Sequence, residues 1–246
     1  MDNWRALWIQ WAKLVAVAIR GVLLDYSGTL FRLEPGAAWV DGLVGHDGAA
    51  LDQIARDSLL VSLTAPVGPS AHLPPEFRAD WARRDLDSDV HRSVSIAALR
   101  AAGLDIGPGV AETLYERVRE PRSWVPYPDT ADALRILQGA GIPVAVGGNI
   151  AWDVRGAFEA RGIAELVDEY VLSYAEGVVK PDPKIFLLAC DRLGVEPDWA
   201  LMIGDSVEAD GAAATLGCRF ERVEPRPTQA RPDALISALR SCGIAG

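Results

Sequence analysis

The chain has little lysine. Of its 24 basic residues only Lys13, Lys180 and Lys184 are lysines, and the rest are arginines. Cysteine is equally scarce. Cys190, Cys218 and Cys242 are odd in number and lack CxxC spacing, which argues against a disulfide framework and a thiolate zinc site and suits a reducing cytoplasm. Positive charge is also in deficit, with a formal net charge of −10 and an isoelectric point near 4.8. Such a surface cannot neutralise phosphates in bulk, so neither nucleic acid nor an anionic membrane is an expected partner. The N-terminal segment carries Arg5, Lys13 and Arg20 and has no small-residue cleavage site before the first strand. It reads as neither a signal peptide nor a stable membrane insertion. Internal repeats and low-complexity tracts are absent as well. What remains is a chain of 246 residues, half of them hydrophobic. That is enough for one large domain, or for a core with a modest insert.

Periodicity divides the chain into three parts. Residues 1–19 form an N-terminal amphipathic helix in this reading, with Trp4, Leu7, Trp8, Trp11, Leu14, Val15 and Ala18 on one stripe. A stripe so rich in tryptophan docks on the core in the first reading; a homodimer contact or a peripheral membrane touch are the alternatives. Residues 34–121 read as an all-helical insert, with helices over 47–63, 76–85, 89–102 and 110–120 and stops at Gly103 and Pro121. Residues 20–33 and 122–246 alternate strands with helices. Strands are expected at 20–25, 143–146, 169–173, 199–203 and 218–223, with helices at 129–140, after Asn149, at 183–193 and through Ala214. This alternation implies an α/β fold with a doubly wound parallel sheet.

Four stations along that core carry polar chemistry at strand ends. The first strand ends on a carboxylate, in Val22-Leu23-Leu24-Asp25-Tyr26-Ser27-Gly28-Thr29-Leu30. Val144-Ala145-Val146-Gly147-Gly148-Asn149 follows, then Lys180-Pro181-Asp182-Pro183, then Leu201-Met202-Ile203-Gly204-Asp205-Ser206 with Asp210. In open α/β sheets, ligands bind beyond the carboxyl ends of the strands. In order and content these stations resemble the four motifs of the haloacid dehalogenase-like hydrolase superfamily, over roughly residues 20–240.

The resemblance implies a Rossmann-like core with a small helical cap inserted between the first and second motifs. It makes Asp25 a nucleophile that forms a covalent aspartyl intermediate. Lys180 would neutralise Asp25 and an incoming small anionic substrate. Asp25, the Ser27 carbonyl, Asp205 and Asp210 would hold Mg²⁺ in an oxygen shell. Thr29 would bond backbone amides and stiffen the nucleophile loop. Gly148 and Asn149 would offer backbone donors to the transferred group, helped by a helix beginning directly after them.

Two residues depart from the family pattern. Phosphatases of the family carry a second Asp where this chain has Ser27, and Ser or Thr where it has Gly148. A serine hydroxyl is a poor general acid or base near neutral pH, a contribution typically worth roughly 10²–10⁴ in rate. A lost hydroxyl donor at Gly148 is worth roughly 10². The leading expectation is therefore a cytoplasmic, Mg²⁺-dependent phosphatase of a small phosphorylated metabolite, slowed at these two positions. A metal-free 2-haloacid dehalogenase, whose halide leaves unprotonated, is one alternative. A catalytically impaired binding or regulatory protein is another. The phosphonatase branch needs a cap lysine, and residues 34–121 contain none. His46, His72, His91, Asp41 and Trp39 are candidate substrate contacts in the cap, whereas Trp81, Trp124, Trp152 and Trp199 read as packing.

Overall fold

In the computed structural model, strand β1 (Gly21–Asp25) is buried along its whole length, as the centre of a sheet covered on both faces must be. The structure describes residues 19–34, 36–64, 73–104 and 106–244, so the tryptophan stripe at 3–18 and His72 lie outside it. Successive β1 side chains serve opposite faces. Val22 and Leu24 join one apolar cluster with Leu134, Leu137 and Phe158, and Leu23 joins another with Ile185, Phe186 and Met202.

Strand β2 (Phe31–Leu33) follows and leads into helices α1 (Gln53–Thr64), α2 (Arg78–Arg83), α3 (Ser88–Ala101) and α4 (Val110–Arg119). Helices α1, α3 and α4 share a separate apolar cluster that includes Val40, Leu59, Ile96, Leu99 and Leu114. The chain returns through β3 (Trp124–Pro126), then α5 (Thr130–Gly139), β4 (Val144–Gly148), α6 (Arg155–Glu159), β5 (Glu169–Leu172) and the single turn α7 (Ser173–Glu176). Helix α8 (Pro183–Leu193), strands β6 (Ala200–Gly204) and β7 (Arg219–Arg222), and helix α9 (Ala234–Ser241) complete it.

The large sheet is parallel with the order β5-β4-β1-β6-β7. The strands following β1 build outward on one side through β4 and β5, and then on the other through β6 and β7. Asp25, the last residue of β1, therefore sits at the point where the winding changes direction. The expected doubly wound architecture is the one observed.

Several local expectations differ from the structure. The helix expected from Asp47 starts at Gln53, because Asp47 and Asp52 accept hydrogen bonds from the amides of Ala49 and Ala55 and turn the chain instead. The segment 76–85 is broken: α2 is flanked by 3-10 turns at Pro75–Phe77 and Arg84–Leu86. No helix begins directly after Asn149. Residues 150–154 are irregular and α6 starts only at Arg155, where Asp153 accepts from the Arg155 amide. The segment through Ala214 is a 3-10 helix, Asp210–Leu216. Two features carried no sequence expectation: the antiparallel pair β2–β3, which matches Leu33 with Trp124, and helix α9. Asp129 contributes to the latter. Its carboxylate accepts from the amides of Leu235 and Ile236 at the start of α9 and makes no cap on its own helix. Among the described residues, no helix is long and apolar enough to cross a membrane.

Candidate active site

The parallel register sets Asp25 beside Gly147 of β4 and places Leu24 beside Ile203 of β6. The loops leaving three neighbouring strands thus converge on one carboxylate. Lys180, brought from the loop before α8, donates from Nζ to Asp25 Oδ1 at 2.7 Å and to Asp210 Oδ1 at 2.5 Å. All three side chains are buried. The second oxygen of Asp210 accepts from the Ser206 amide at 3.0 Å, which fixes the loop after β6. That carboxylate lies so close to the end of β6 that Gly204 is compelled: a Cβ there would meet Asp210 Cβ at 2.6 Å.

Asn149 has a further role beside the backbone donor expected of it. Its exposed side chain clamps the lysine loop, with Oδ1 accepting from the Lys180 amide at 2.7 Å and Nδ2 donating to the Lys180 carbonyl at 2.9 Å. The residue after β4 therefore aims the ammonium at Asp25.

One carboxylate oxygen from each of Asp25, Asp205 and Asp210 lies within 4.8 Å of the others. Three carboxyl groups cluster about the Lys180 ammonium in a mostly buried place. Burial pushes the Asp25 carboxyl up to about 7; Lys180 opposes this, and Asp210 and Asp205 add to it. Asp205 is likewise raised, by burial and then by Asp210. Burial would lower Lys180, but the charges of Asp25 and Asp210 outweigh it and hold the ammonium above its ordinary value. Asp25 Oδ2 is buried with no hydrogen-bond partner. An orphaned buried acceptor and an all-oxygen donor set of three carboxyl groups fit a hard divalent cation such as Mg²⁺.

Ser27 is exposed. At Gly148 an added Cβ would find ordinary contacts only, 3.7 Å from Tyr26 Cβ, 3.9 Å from Ile150 Cγ2 and 4.0 Å from Asp25 Oδ1. The Thr29 hydroxyl, expected to bond loop amides, is buried without a partner. The nucleophile loop instead closes on itself, through Gly28 N to Phe31 O at 2.7 Å and through Leu30 N and Phe31 N to Tyr26 O. Gly28 turns the chain with φ +83, which disfavours any side chain there.

On the helical side, His91 lies between Tyr115, at 3.1 Å from its Nδ1, and the edge of Trp152. Burial pushes it down to about 4, which keeps it neutral near pH 7. Ser88 Oγ donates to the Ala151 carbonyl, and Ser173 Oγ donates to the Asp85 carbonyl at 2.6 Å. The segment 85–91 is thereby fastened to the loop that follows Asn149. The other expected contacts lie elsewhere: Asp41 pairs with Arg56, His46 is exposed, and Trp39 is buried. Of the tryptophans read as packing, Trp124 is buried and Trp152 packs near it, whereas Trp81 and Trp199 carry the guanidinium groups of Arg84 and Arg20.

The chain is similar to known proteins. A phosphoserine phosphatase from Thermus thermophilus is 31% identical over 250 residues, spanning 91% of this chain and 98% of its own. (S)-2-haloacid dehalogenase 4A from Burkholderia cepacia is 30% identical over 127 residues, 51% of this chain and 54% of that protein. A crystal structure of a dehalogenase superposes with a TM-score of 0.64 at 22% identity, covering 91% of this chain and 96% of the other, a likeness of fold. The family model of the haloacid dehalogenase-like hydrolases matches residues 19–216, from the approach to β1 through the acidic loop after β6. With Asp25, Lys180, Asp205 and Asp210 all falling inside that match, the chain is a member of the haloacid dehalogenase-like hydrolase family.

Proposed function

We propose that this hydrolase is a Mg²⁺-dependent phosphatase of a small phosphorylated metabolite, working through an aspartyl-phosphate at Asp25. The observation that carries the reading is the state of the Asp25 carboxylate. One oxygen is pinned by Lys180, the other is buried and unpartnered, and a carboxylate oxygen from each of Asp25, Asp205 and Asp210 lies within 4.8 Å of the others. A dehalogenase that attacks carbon without metal has no use for that acidic trio. The near full-length match to a phosphatase supports the same choice.

Asp25, Asp205 and Asp210 would hold the ion, with the Ser27 carbonyl as a further ligand. When bound, it lowers the charge repulsion between substrate phosphate and carboxylates and keeps Asp25 ionised. Asp25 then attacks phosphorus, the P–O bond to the leaving group breaks, and the electron pair departs with that oxygen. Lys180 holds the Asp25 oxygen in place and balances the added charge. Asn149 fixes the direction of the lysine. Hydrolysis of the acyl phosphate releases phosphate and regenerates Asp25. Ser27 supplies neither a useful acid nor a useful base to these steps, so turnover of alkyl phosphates is slow. The helical insert, fastened at Ser88 and Asp85, serves as a cap over the site and sets the substrate.

Pre-steady-state release of p-nitrophenol from p-nitrophenyl phosphate tests this. The expected result is a Mg²⁺-dependent burst of about one equivalent followed by slow turnover, abolished by EDTA and by Asp25→Asn. Halide release from 2-chloropropionate in EDTA, without any burst, would overturn it in favour of dehalogenation. Binding of phosphate with neither reaction would mark a non-catalytic protein.

A further inference from the structure

Against the loop that follows Asp25 lies a cation that belongs to none of the four motifs. Arg231 follows β7 by nine residues and is only 4% exposed. Its Nη1 donates to the Gly28 carbonyl at 2.7 Å, and its Nη2 donates to the Thr29 carbonyl. A weaker bond reaches the Glu224 carbonyl at 3.4 Å. The guanidinium lies flat on the Tyr127 ring, 3.1 Å from its centroid. Its named acceptors are all backbone carbonyls. The carbonyl of the next residue, Leu30, is also taken, by the Tyr127 amide at 3.0 Å and by Thr130 Oγ1 at 2.8 Å.

Burying a guanidinium is costly, and apolar side chains of similar volume usually fill such a space at least as stably. Stability alone is therefore a poor reason for this residue. Its geometry supplies a better one. The planar fork spans two consecutive peptide carbonyls, which no other side chain can do with the same pair of donors. Those carbonyls begin three residues after Asp25, in the turn that determines where its carboxylate points. Gly28 is also packed against the site: a Cβ on it would lie 3.0 Å from Asp205 Cγ and 3.1 Å from Pro225 Cβ. Movement of the Gly28 peptide is thus movement against Asp205.

We propose that Arg231 is a positioning residue, which fixes the nucleophile loop so that Asp25 and Asp205 keep their relation to Lys180. The catalytic consequence rests on the phosphatase reading; the anchoring of the loop does not. Arg231 touches neither substrate nor the reacting oxygens, and it acts through the Gly28 and Thr29 peptides.

The test is Arg231→Lys, which keeps the charge and loses the fork, read by two independent measurements. In the p-nitrophenyl phosphate burst, amplitude counts correctly folded molecules, whereas the burst rate reports the aim of Asp25. The expected result is a burst of full amplitude slowed about 10²-fold, with KM nearly unchanged. In hydrogen exchange, the amides of Gly28, Leu30 and Phe31 should exchange at least about tenfold faster, while Val22, Leu23 and Leu24 keep their protection. A reduced amplitude at unchanged rate, with faster exchange throughout β1, would show a merely structural arginine and overturn the proposal. An unchanged rate with unchanged loop exchange would overturn it as well. If the wild-type chain gives no burst, the phosphatase reading fails on its own, and loop exchange still decides whether Arg231 anchors the turn. Tyr127→Leu removes the stacking face and leaves the fork, so it should give a burst of full amplitude with smaller changes in burst rate and loop exchange. No effect of Tyr127→Leu on either measurement would count against the proposal.

Discussion

Two glycines flank the nucleophile strand and differ in why they are glycine. Gly204 ends β6 and Gly148 ends β4, the two neighbours of β1. At Gly204 the space for a side chain is already filled by Asp210, whose Cβ lies 2.6 Å from where one would begin. At Gly148 the nearest atom is 3.7 Å away, and the Asp25 carboxylate lies just beyond. The first glycine is required by the charge cluster. The second is sterically free, so the missing hydroxyl there is not forced by packing. The end of β6 is filled by a carboxylate, whereas the end of β4 leaves room beside the same Asp25 oxygen that Lys180 binds. The difference shows where the site can be altered and where it cannot.

Substitutions can break or sharpen this contrast. The largest effect is expected at Gly204→Ala, which drives Asp210 away from Lys180 and lowers the burst rate about 10³-fold, as the loss of an oriented charge does. The same change lowers stability by about 1–3 kcal/mol, measurable by urea denaturation, because the crowded carboxylate must move. Next is Gly148→Ser, expected to act in the opposite direction. It should raise turnover of phosphate esters by about 10², with stability within about 0.5 kcal/mol of wild type, through a restored donor beside Asp25. A loss of activity there would mean that the room is occupied by substrate, and the contrast would have to be redrawn.

Asn149→Ala is a smaller test, confined to the lysine clamp. Loss of two hydrogen bonds to the Lys180 backbone should slow the burst about tenfold. Asp25→Asn gives the smallest change, in stability. A carboxyl whose pKa is raised on folding contributes most below the unfolded value of 3.8, and that contribution is lost as pH rises through about 7. The metal-free asparagine variant should therefore gain stability on wild type as pH rises from about 4 to about 7, and lose that advantage below about pH 4. Thermal unfolding in EDTA across that range checks the sign.

The parts of the site that could be read from the chain are those set by chain-local signals. Asp25 and Asp205 stand where apolar runs stop, and Lys180 is conspicuous in a chain that otherwise uses arginine. The parallel sheet followed from the alternation of strand and helix patterns. What could not be read depends on partners distant in sequence. The Asn149 amide is chosen by a loop 31 residues away, and Arg231 reaches Gly28 across 203 residues. The helix expected after Asn149 is displaced because Ser88 and Ser173 bind the carbonyls of Ala151 and Ile150, holding that stretch irregular. The Thr29 hydroxyl has the right chemistry for a loop brace, but the turn satisfies its own amides first.

The pair β2–β3 has a consequence for how such a molecule changes over generations. Leu33 and Trp124 face each other across two hydrogen-bonded strands, so some ninety residues of chain begin and end at one narrow socket. The entropy of closing a segment grows only slowly with its length. Any module whose ends arrive as two antiparallel strands meets the same threshold, whatever its size. The hydrolytic machinery on one side and the module on the other can thus be exchanged as separate cassettes, with the ribbon as the splice point. A graft of a foreign helical module between Leu33 and Trp124 would carry over a new appetite for substrate and leave Asp25, Lys180 and their supporting arginine where they are.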